Sequence, residues 1–240
     1  MELSSDLVKS LGARCGGARL FGGCAFAKRI DYPSLFGKDR SVKDIDLVIF
    51  RNGRRAVLEY LRLNGWLIDR RSVLFGDARR ITLLEPKACI RLDLYSDPLH
   101  FNHRILLGNR LTIDSECLAP ADLLVTKLQI VHATVQDDDD VIGLIASTPL
   151  NSREPDAISV SRLASMCAAS WGLYVTMLAN LRRLTAERGL RTLRSTHLAK
   201  QFGEKTEEIL LAVKDYPKSL SWKGRALLGS RLPWYDEVEE

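Results

Sequence analysis

Two short stretches of the sequence decide the predicted fold: Lys43-Asp44-Ile45-Asp46-Leu47-Val48-Ile49 and Ile90-Arg91-Leu92-Asp93-Leu94-Tyr95. Both alternate polar and apolar residues, which is the period of a β-strand with one buried face. Because alternate side chains of a strand lie on the same face, Asp44 and Asp46 share one face of the first strand. Asp93 lies on the polar face of the second strand. If the two strands pair, the three carboxylates gather on one face of the sheet.

This carboxylate cluster predicts a bound cation. Carboxylates held close together repel one another, which raises their pKa values unless a positive charge lies beside them. Mg²⁺, or Mn²⁺ in its place, suits such a site because it takes carboxylate oxygens together with substrate phosphates. The alternative is a pair of solvent-exposed Asp side chains on an edge strand, the usual outcome for an isolated Asp-x-Asp. The apolar neighbours of Asp44 and Asp46, with Asp93 in a second apolar strand, favour the metal site.

A glycine pair precedes the first of these strands. Gly22 and Gly23 follow a short apolar run at residues 18–21 and precede a predicted short helix at residues 24–30. Glycine lets backbone N–H groups approach a phosphate closely, and the N-terminus of a helix favours an anion. The pair is therefore a candidate phosphate-binding turn, although tight turns account for most glycine pairs.

The remaining pattern divides the chain into two parts. It predicts an α/β (α+β) architecture in which a lobe with a mixed β-sheet, residues 1–115, is followed by a helical lobe, residues 116–240. The predicted strands lie at residues 45–50, 66–68, 73–75, 81–84, 89–95, 105–107 and 111–113. The predicted helices lie at residues 3–11, 24–30, 54–64, 121–133, 141–146, 158–169, 173–185 and 207–213.

Composition narrows the class of protein. The chain has 240 residues, 46% hydrophobic and 27% charged, which excludes a disordered or collagen-like chain and allows a core without disulfides. Its five cysteines include no Cys-x-x-Cys, which argues against a disulfide framework or a cysteine-based zinc site. Residues 163–181 carry no formal charge, but their polar side chains favour a buried helix or helix pair over a membrane span. With no signal-peptide pattern at the start, we expect a cytoplasmic protein that does not enter a membrane.

Together these residues resemble the nucleotidyltransferase fold of the DNA polymerase β type. The resemblance covers residues 18–145 well and the rest loosely. A further part of it is to bacterial minimal nucleotidyltransferases, including abortive-infection-type toxins. The stretches that carry the resemblance are Leu20-Phe21-Gly22-Gly23, Asp44-Ile45-Asp46-Leu47, Leu92-Asp93-Leu94, residues 118–129, and the acidic pair Asp137 and Asp140.

The resemblance implies a role for each site residue. Asp44 and Asp46 would hold one or two Mg²⁺ ions on a nucleoside triphosphate, and Asp93 would hold the second metal near the attacking hydroxyl. In general, two metals lower the pKa of the attacking oxygen and neutralise charge on the leaving group. The nucleotide-binding residues would be Gly22, Gly23, Arg40, Lys43 and Lys127.

The sequence departs from the family pattern at residues 31–43, which lengthen the connection between Gly23 and Asp44. This insertion is predicted as a loop with three basic residues, and it is either a cover for the triphosphate or a neutral insertion. Lys127 also has two interpretations. It is either a phosphate ligand or a lysine whose stem packs on apolar neighbours while its ammonium reaches water.

Three further features leave alternatives open. His100 and His103 lack further ligands at zinc spacing, which favours a structural or substrate-proximal role. Asp137 or Asp138 is expected to cap the following helix rather than bind metal. The arginines of the helical half form either a solvated face or a groove for RNA or another anionic acceptor. They are Arg153, Arg162, Arg182, Arg183, Arg188, Arg191 and Arg194.

The sequence thus predicts a Mg²⁺-dependent nucleotidyltransferase that transfers a nucleotidyl group from a nucleoside triphosphate to RNA, a protein hydroxyl or a small molecule. The alternative is a nucleotidyltransferase fold that binds nucleotide or RNA without catalysis, or a component of a toxin–antitoxin pair. The two are distinguished by whether Asp44, Asp46 and Asp93 converge on one metal ion.

Overall fold

A computed structural model describes residues 2–15, 17–71, 80–87, 89–151 and 153–237. Its contacts divide the chain into two units. The first unit comprises Met1–Arg29, Arg40–His100 and Ile105–Ala119, and the second comprises Ile30–Asp39, Phe101–Arg104 and Pro120–Glu240.

The first unit is built on a five-stranded mixed sheet. Its strands are β1 (Ala18–Phe21), β2 (Asp44–Ile49), β3 (Leu67–Ile68), β4 (Arg80–Glu85) and β5 (Ile90–Ser96), arranged in the order β1-β2-β5-β4-β3. Strands β2 and β5 are parallel, whereas the other neighbouring pairs are antiparallel. The chain also contains the short strands β6 (Leu99–His100) and β7 (Arg104–Ile105). The structure is therefore of the mixed α/β class that the sequence predicts.

Helices occur in both units. In chain order they are α1 (Glu2–Cys15), α2 (Gly22–Arg29), α3 (Tyr32–Phe36), α4 (Arg54–Leu63), α5 (Pro120–Leu128), α6 (Val135–Ser147), α7 (Val160–Ala169), α8 (Trp171–Arg183), α9 (Gly189–Thr192), α10 (Thr196–Asp215) and α11 (Leu220–Leu228). A π-helical turn, Leu184–Arg188, joins α8 to α9. Within the described part of the chain, no helix is long and apolar enough to cross a membrane.

The two faces of the sheet differ in chemistry because its strands alternate. One face carries Ile45, Leu47, Leu92 and Leu94, all buried, and it forms the core of the first unit. The opposite face carries the acidic residues of β2 and β5. The alternation read from the sequence therefore places the carboxylates away from the core.

Several predicted elements differ from those in the structure. The strand predicted at residues 111–113 is wrong, because a 3₁₀ helix, Gly108–Thr112, occupies that segment. Its start is fixed by Asp97, whose carboxylate accepts hydrogen bonds from the backbone N–H groups of Leu107 and Gly108. The strand predicted at residues 73–75 lies outside the described residues.

The predicted loop at residues 31–43 contains a helix. Asp31 caps α3, since its side chain accepts a hydrogen bond from the backbone N–H of Ser34. Gly37 ends the helix in the left-handed conformation. The helix pair predicted over residues 163–181 is confirmed, because Ser170 ends α7 and caps α8.

The two faces of β4 provide a test of this register. Leu83 is completely buried, whereas its neighbour Leu84 is 43% exposed. We expect Leu83→Ala to lower the free energy of unfolding by about 2–5 kcal/mol, because it leaves a cavity in the core. Leu84→Ala is the matched control, and we expect a loss below about 1 kcal/mol. Urea unfolding measures both, and equal losses would show that the strand faces are misassigned.

Candidate functional site

The parallel pairing of β2 with β5 brings the predicted acidic residues together. Asp46 lies directly opposite Asp93, and Asp44 lies opposite Arg91. Residues paired across neighbouring strands direct their side chains to the same face. The three carboxylates therefore belong to one face of the sheet, as the sequence predicts, with Asp46 and Asp93 side by side.

The glycine turn packs against Asp46. A Cβ atom at Gly22 would lie 1.9 Å from Asp46 Oδ2, so only glycine allows the backbone and this carboxylate to approach so closely. Gly22 also has a positive φ of 59°, which side-chain-bearing residues rarely adopt. Helix α2 begins at this residue, and the Cys24 thiol in its first turn donates a hydrogen bond to the backbone carbonyl of Asp44 at 3.4 Å. Burial raises the pKa of Cys24, and the charges of Asp46 and Asp44 raise it further.

The basic residues before β2 lie at the same end of the site. The guanidinium of Arg40 approaches Gly23, since a Cβ there would be 3.3 Å from one of its terminal nitrogens. Lys43 is exposed and immediately precedes Asp44. Of the five predicted nucleotide-binding residues, Gly22 lies against Asp46 and Lys43 adjoins Asp44 in sequence, while Arg40 approaches Gly23 in the same turn.

Asp93 is the most buried of the three carboxylates. It is 3% exposed. One of its oxygens accepts hydrogen bonds from the Thr82 hydroxyl at 2.6 Å and from Arg91 Nε at 3.3 Å. The other oxygen lies 3.0 Å from a guanidinium nitrogen of Arg80 and 3.0 Å from one of Arg91. Two arginines therefore supply the positive charge that the sequence pattern predicts a metal ion to supply.

The electrostatics of the face involve Arg80 and Tyr95 as well. Burial alone would lower the pKa of Arg80, but Tyr95, Asp93 and Asp46 together raise it above its ordinary value. Burial raises the pKa of Tyr95, and Asp46 adds to that effect. The Arg80 guanidinium also lies 5.9 Å from the centre of the Tyr95 ring, within the range of a cation–π interaction. Arg80 therefore pairs with Asp93 and lies beside the Tyr95 ring, and the charges of Asp93 and Asp46 favour its charged form.

The donor set fits Mg²⁺ in part. Asp44 and Asp46 are carboxylates on one face of β2, and Mg²⁺ commonly binds one or two carboxylates, with water and substrate phosphates as its other ligands. Asp93 does not complete a triad, because both of its oxygens are engaged. Across the described residues, no group of three or more His, Cys, Asp or Glu side chains is arranged to hold a metal ion. The site offers a carboxylate pair rather than a preformed three-carboxylate centre.

Lys127 lies in the second unit and is ion-paired there. Its ammonium nitrogen is 2.5 Å from Asp137 Oδ1 and 3.4 Å from Asp140 Oδ2, and its side chain is 14% exposed. Burial would raise the pKa of Asp137, but Lys127 and Thr134 hold it below its ordinary value. The prediction that Asp137 or Asp138 caps α6 is wrong. Thr134 is the cap, and Asp137, three residues on, completes a capping box.

The other acidic residues of this run form a buried ionic network in the second unit. Asp138 receives two hydrogen bonds from Arg183, and Asp139 pairs with Lys38 and Arg188. Asp140 accepts a hydrogen bond from the Tyr32 hydroxyl. Lys38 and Tyr32 come from the insertion at residues 31–43. Part of that insertion is therefore attached to α6, an observation that supports a structural role for it.

The arginines of the helical half divide into two groups. Arg162, Arg183 and Arg188 pair with buried aspartates of the same unit and serve its internal structure. The other arginines are exposed, and they alone remain available to bind an anionic acceptor. The exposed arginines are Arg153, Arg182, Arg191 and Arg194.

His103 has a structural environment. Its Nε2 lies 2.9 Å from the Thr176 hydroxyl, and its backbone N–H donates to the side chain of Gln129 at 3.0 Å. Burial lowers its pKa to about 4, although Asp236 acts in the opposite direction. His103 is thus buried, and its lowered pKa favours the neutral imidazole, whereas His100 is half-buried in the first unit.

Sequence reasoning missed two residues of the site. Arg80 and Thr82 hold Asp93, and both come from β4, the antiparallel neighbour of β5. Their positions depend on the register of that pairing, for which the sequence carries no local signal. The strand pattern places Arg91 on the correct face, but it does not reveal that Arg91 is a partner of Asp93. Comparison with protein-family models, curated proteins and solved structures gave no match.

Two glycine variants test the contact with Asp46. We expect Gly22→Ala to lower the free energy of unfolding by about 2 kcal/mol or more, because it combines a left-handed backbone with a clash. Gly23→Ala is the matched control. Its added Cβ would meet only the flexible end of Arg40, so we expect a much smaller change. Thermal unfolding measures both, and equal melting temperatures would contradict the close approach.

The environment of His103 predicts a pH dependence. An unfolded histidine has a pKa near 6.5, whereas the folded value is about 4. Between these values the unfolded chain binds a proton that the folded chain excludes, so stability falls as the pH is lowered through this range. We expect His103→Gln to reduce the loss of urea resistance between pH 7 and pH 5. The exposed His132, changed to Gln, should leave the wild-type loss intact. If His103→Gln also leaves it intact, the imidazole is not the titrating group.

Proposed function

We propose that the protein is a nucleotidyltransferase that uses a nucleoside triphosphate with Mg²⁺ and transfers a nucleotidyl group to a hydroxyl acceptor. The observation that carries the proposal is the pairing of Asp46 with Asp93 on one face of the parallel strands, with Gly22 packed against Asp46. This combination has a chemical purpose. The carboxylates suit the cation, and the glycine turn at the start of a helix suits the phosphates of the triphosphate.

Each residue has a defined task in this proposal. Asp44 and Asp46 would hold Mg²⁺, which supplies charge neutralisation on the phosphates and lowers the pKa of the attacking oxygen. The backbone at Gly22 and Gly23 lies at the N-terminus of α2 and would face phosphate oxygens. Arg40 approaches the same turn and adds a positive charge.

A second candidate function meets the criterion drawn from the sequence, because among the described residues Asp44, Asp46 and Asp93 do not converge as a group that holds one metal ion. Because Arg80, Arg91 and Thr82 use both oxygens of Asp93, the same face also suits a protein that binds nucleotide without catalysis. In that case the fold recognises an anionic nucleotide through Arg40 and the glycine turn, and no group is transferred.

Labelled nucleotide distinguishes the two functions. We expect the wild-type protein, incubated with α-labelled nucleoside triphosphates, Mg²⁺ and a cellular extract of RNA, protein and small molecules, to transfer label to one acceptor class. We expect Asp46→Asn to reduce this transfer by about a hundredfold or more, because the variant loses a charge that the transition state needs. Asp215→Asn, an exposed residue of α10, is the matched control and should retain wild-type transfer.

Nucleotide binding is measured in parallel with transfer. Binding without transfer in the wild-type protein would support the non-catalytic function. Undiminished transfer by Asp46→Asn, with the variant shown to be folded by circular dichroism, would contradict the assigned site. The acceptor that carries label identifies whether RNA, a protein hydroxyl or a small molecule is the substrate.

A further inference from the structure

We propose that Arg80 is a displaceable counter-cation of Asp93, and that a divalent cation can use Asp93 only when Arg80 has left it. This inference rests on the proposed function, because it concerns the cation site of that function. The inference goes beyond the proposed function because it assigns Arg80, a residue of the chain itself, as a competitor of the metal for Asp93.

The geometry shows why a competitor is needed. Asp46 and Asp93 are paired directly across parallel strands, and Asp93 is almost completely buried. Two ionised carboxylates at such positions repel strongly in surroundings with little water. A cation beside Asp93 relieves this repulsion, and in this structure Arg80 and Arg91 fill that role.

Arg80 is better suited than Arg91 to leave. Arg91 approaches Asp93 through two of its nitrogens, at 3.3 and 3.0 Å, and lies two residues away on the same strand. Arg80 reaches Asp93 from the neighbouring strand through one terminal nitrogen at 3.0 Å, so it has fewer contacts to break than Arg91, and both side chains are partly exposed, 36% for Arg80 and 44% for Arg91. Arg80 also lies on the sheet face that carries Asp46, and the charge of Asp46 contributes to its raised pKa.

A phosphate chain would give Arg80 a new partner after displacement. Guanidinium groups bind phosphate oxygens, as they bind carboxylate oxygens, through paired hydrogen bonds. A divalent cation that arrives with a triphosphate therefore brings the anion that receives the displaced arginine. No covalent bond changes in this step.

Mn²⁺ binding tests the competition without any measurement of transfer. The free Mn²⁺ concentration is followed by electron paramagnetic resonance for wild type, Arg80→Gln and Arg80→Lys, in the absence of nucleotide. We expect Arg80→Gln to bind Mn²⁺ about tenfold or more tightly than wild type, because close charge pairs couple by at least that much. Arg80→Lys keeps the positive charge and should remain near the wild-type affinity.

Matched variants locate the gain in Mn²⁺ affinity at the acidic face. Arg62→Gln removes an exposed arginine of α4 and should leave the Mn²⁺ affinity unchanged. Asp46→Asn combined with Arg80→Gln should abolish the gain, which ties it to this carboxylate. Because Arg80→Gln leaves Asp93 less compensated, we also expect Mn²⁺ to raise its melting temperature more than that of wild type.

The outcomes separate this inference from the proposed function. Equal Mn²⁺ affinity in wild type and Arg80→Gln would overturn the role of Arg80 and leave the proposed transferase standing. Binding of Mn²⁺ by neither protein, even with a nonhydrolysable nucleoside triphosphate added, would overturn both. Tighter binding by Arg80→Gln in a protein that transfers no label would support the counter-cation and contradict only the catalytic proposal.

Discussion

The direct pairing of Asp46 with Asp93 is the constraint on which the rest of the site depends. Parallel strands β2 and β5 fix these residues at the same level of the sheet, and the buried opposite face prevents either strand from slipping by one residue. Two negative charges are thereby held together by the core itself. The arginines of β4 and β5 pair with Asp93, and the Thr82 hydroxyl donates a hydrogen bond to it. The backbone of the glycine turn lies close to Asp46.

In the second unit, cations likewise compensate carboxylates that are held close together. Four consecutive aspartates at the start of α6 are stabilised by cations from other segments, including Lys38, Lys127 and Arg183. There the ion pairs attach the insertion at residues 31–43 to a helix, and a Thr134 capping box begins that helix. Buried ion pairs are costly to break, because removal of one partner leaves an uncompensated charge. A run of aspartates is therefore structural in one unit, whereas a pair of aspartates forms the candidate site in the other.

The sequence was sufficient to predict the central strands and the faces of their side chains, because alternation along β2 and β5 is a local property. It was also sufficient to place Gly22 and Gly23 between β1 and α2, but it did not reveal that Gly22 packs against Asp46. It was insufficient for Arg80 and Thr82, which reach Asp93 only through the register between β4 and β5. It likewise left Lys127 with two roles, because its pairing with Asp137 depends on the packing of α5 against α6. The strand predicted at residues 111–113 failed for a related reason: the carboxylate of Asp97, distant in sequence, turns the chain there.

In the proposed mechanism, Asp44 and Asp46 would hold a divalent cation on a nucleotide, and Asp93 would become available to that cation once Arg80 has left it. The most direct test is a crystal structure with Mn²⁺ and a nonhydrolysable nucleoside triphosphate, measured at the Mn absorption edge. We predict an anomalous peak within bonding distance of the Asp44 and Asp46 carboxylates, with the guanidinium of Arg80 on a phosphate. Bound nucleotide with no anomalous peak at these carboxylates, and with Arg80 still on Asp93, would contradict this mechanism.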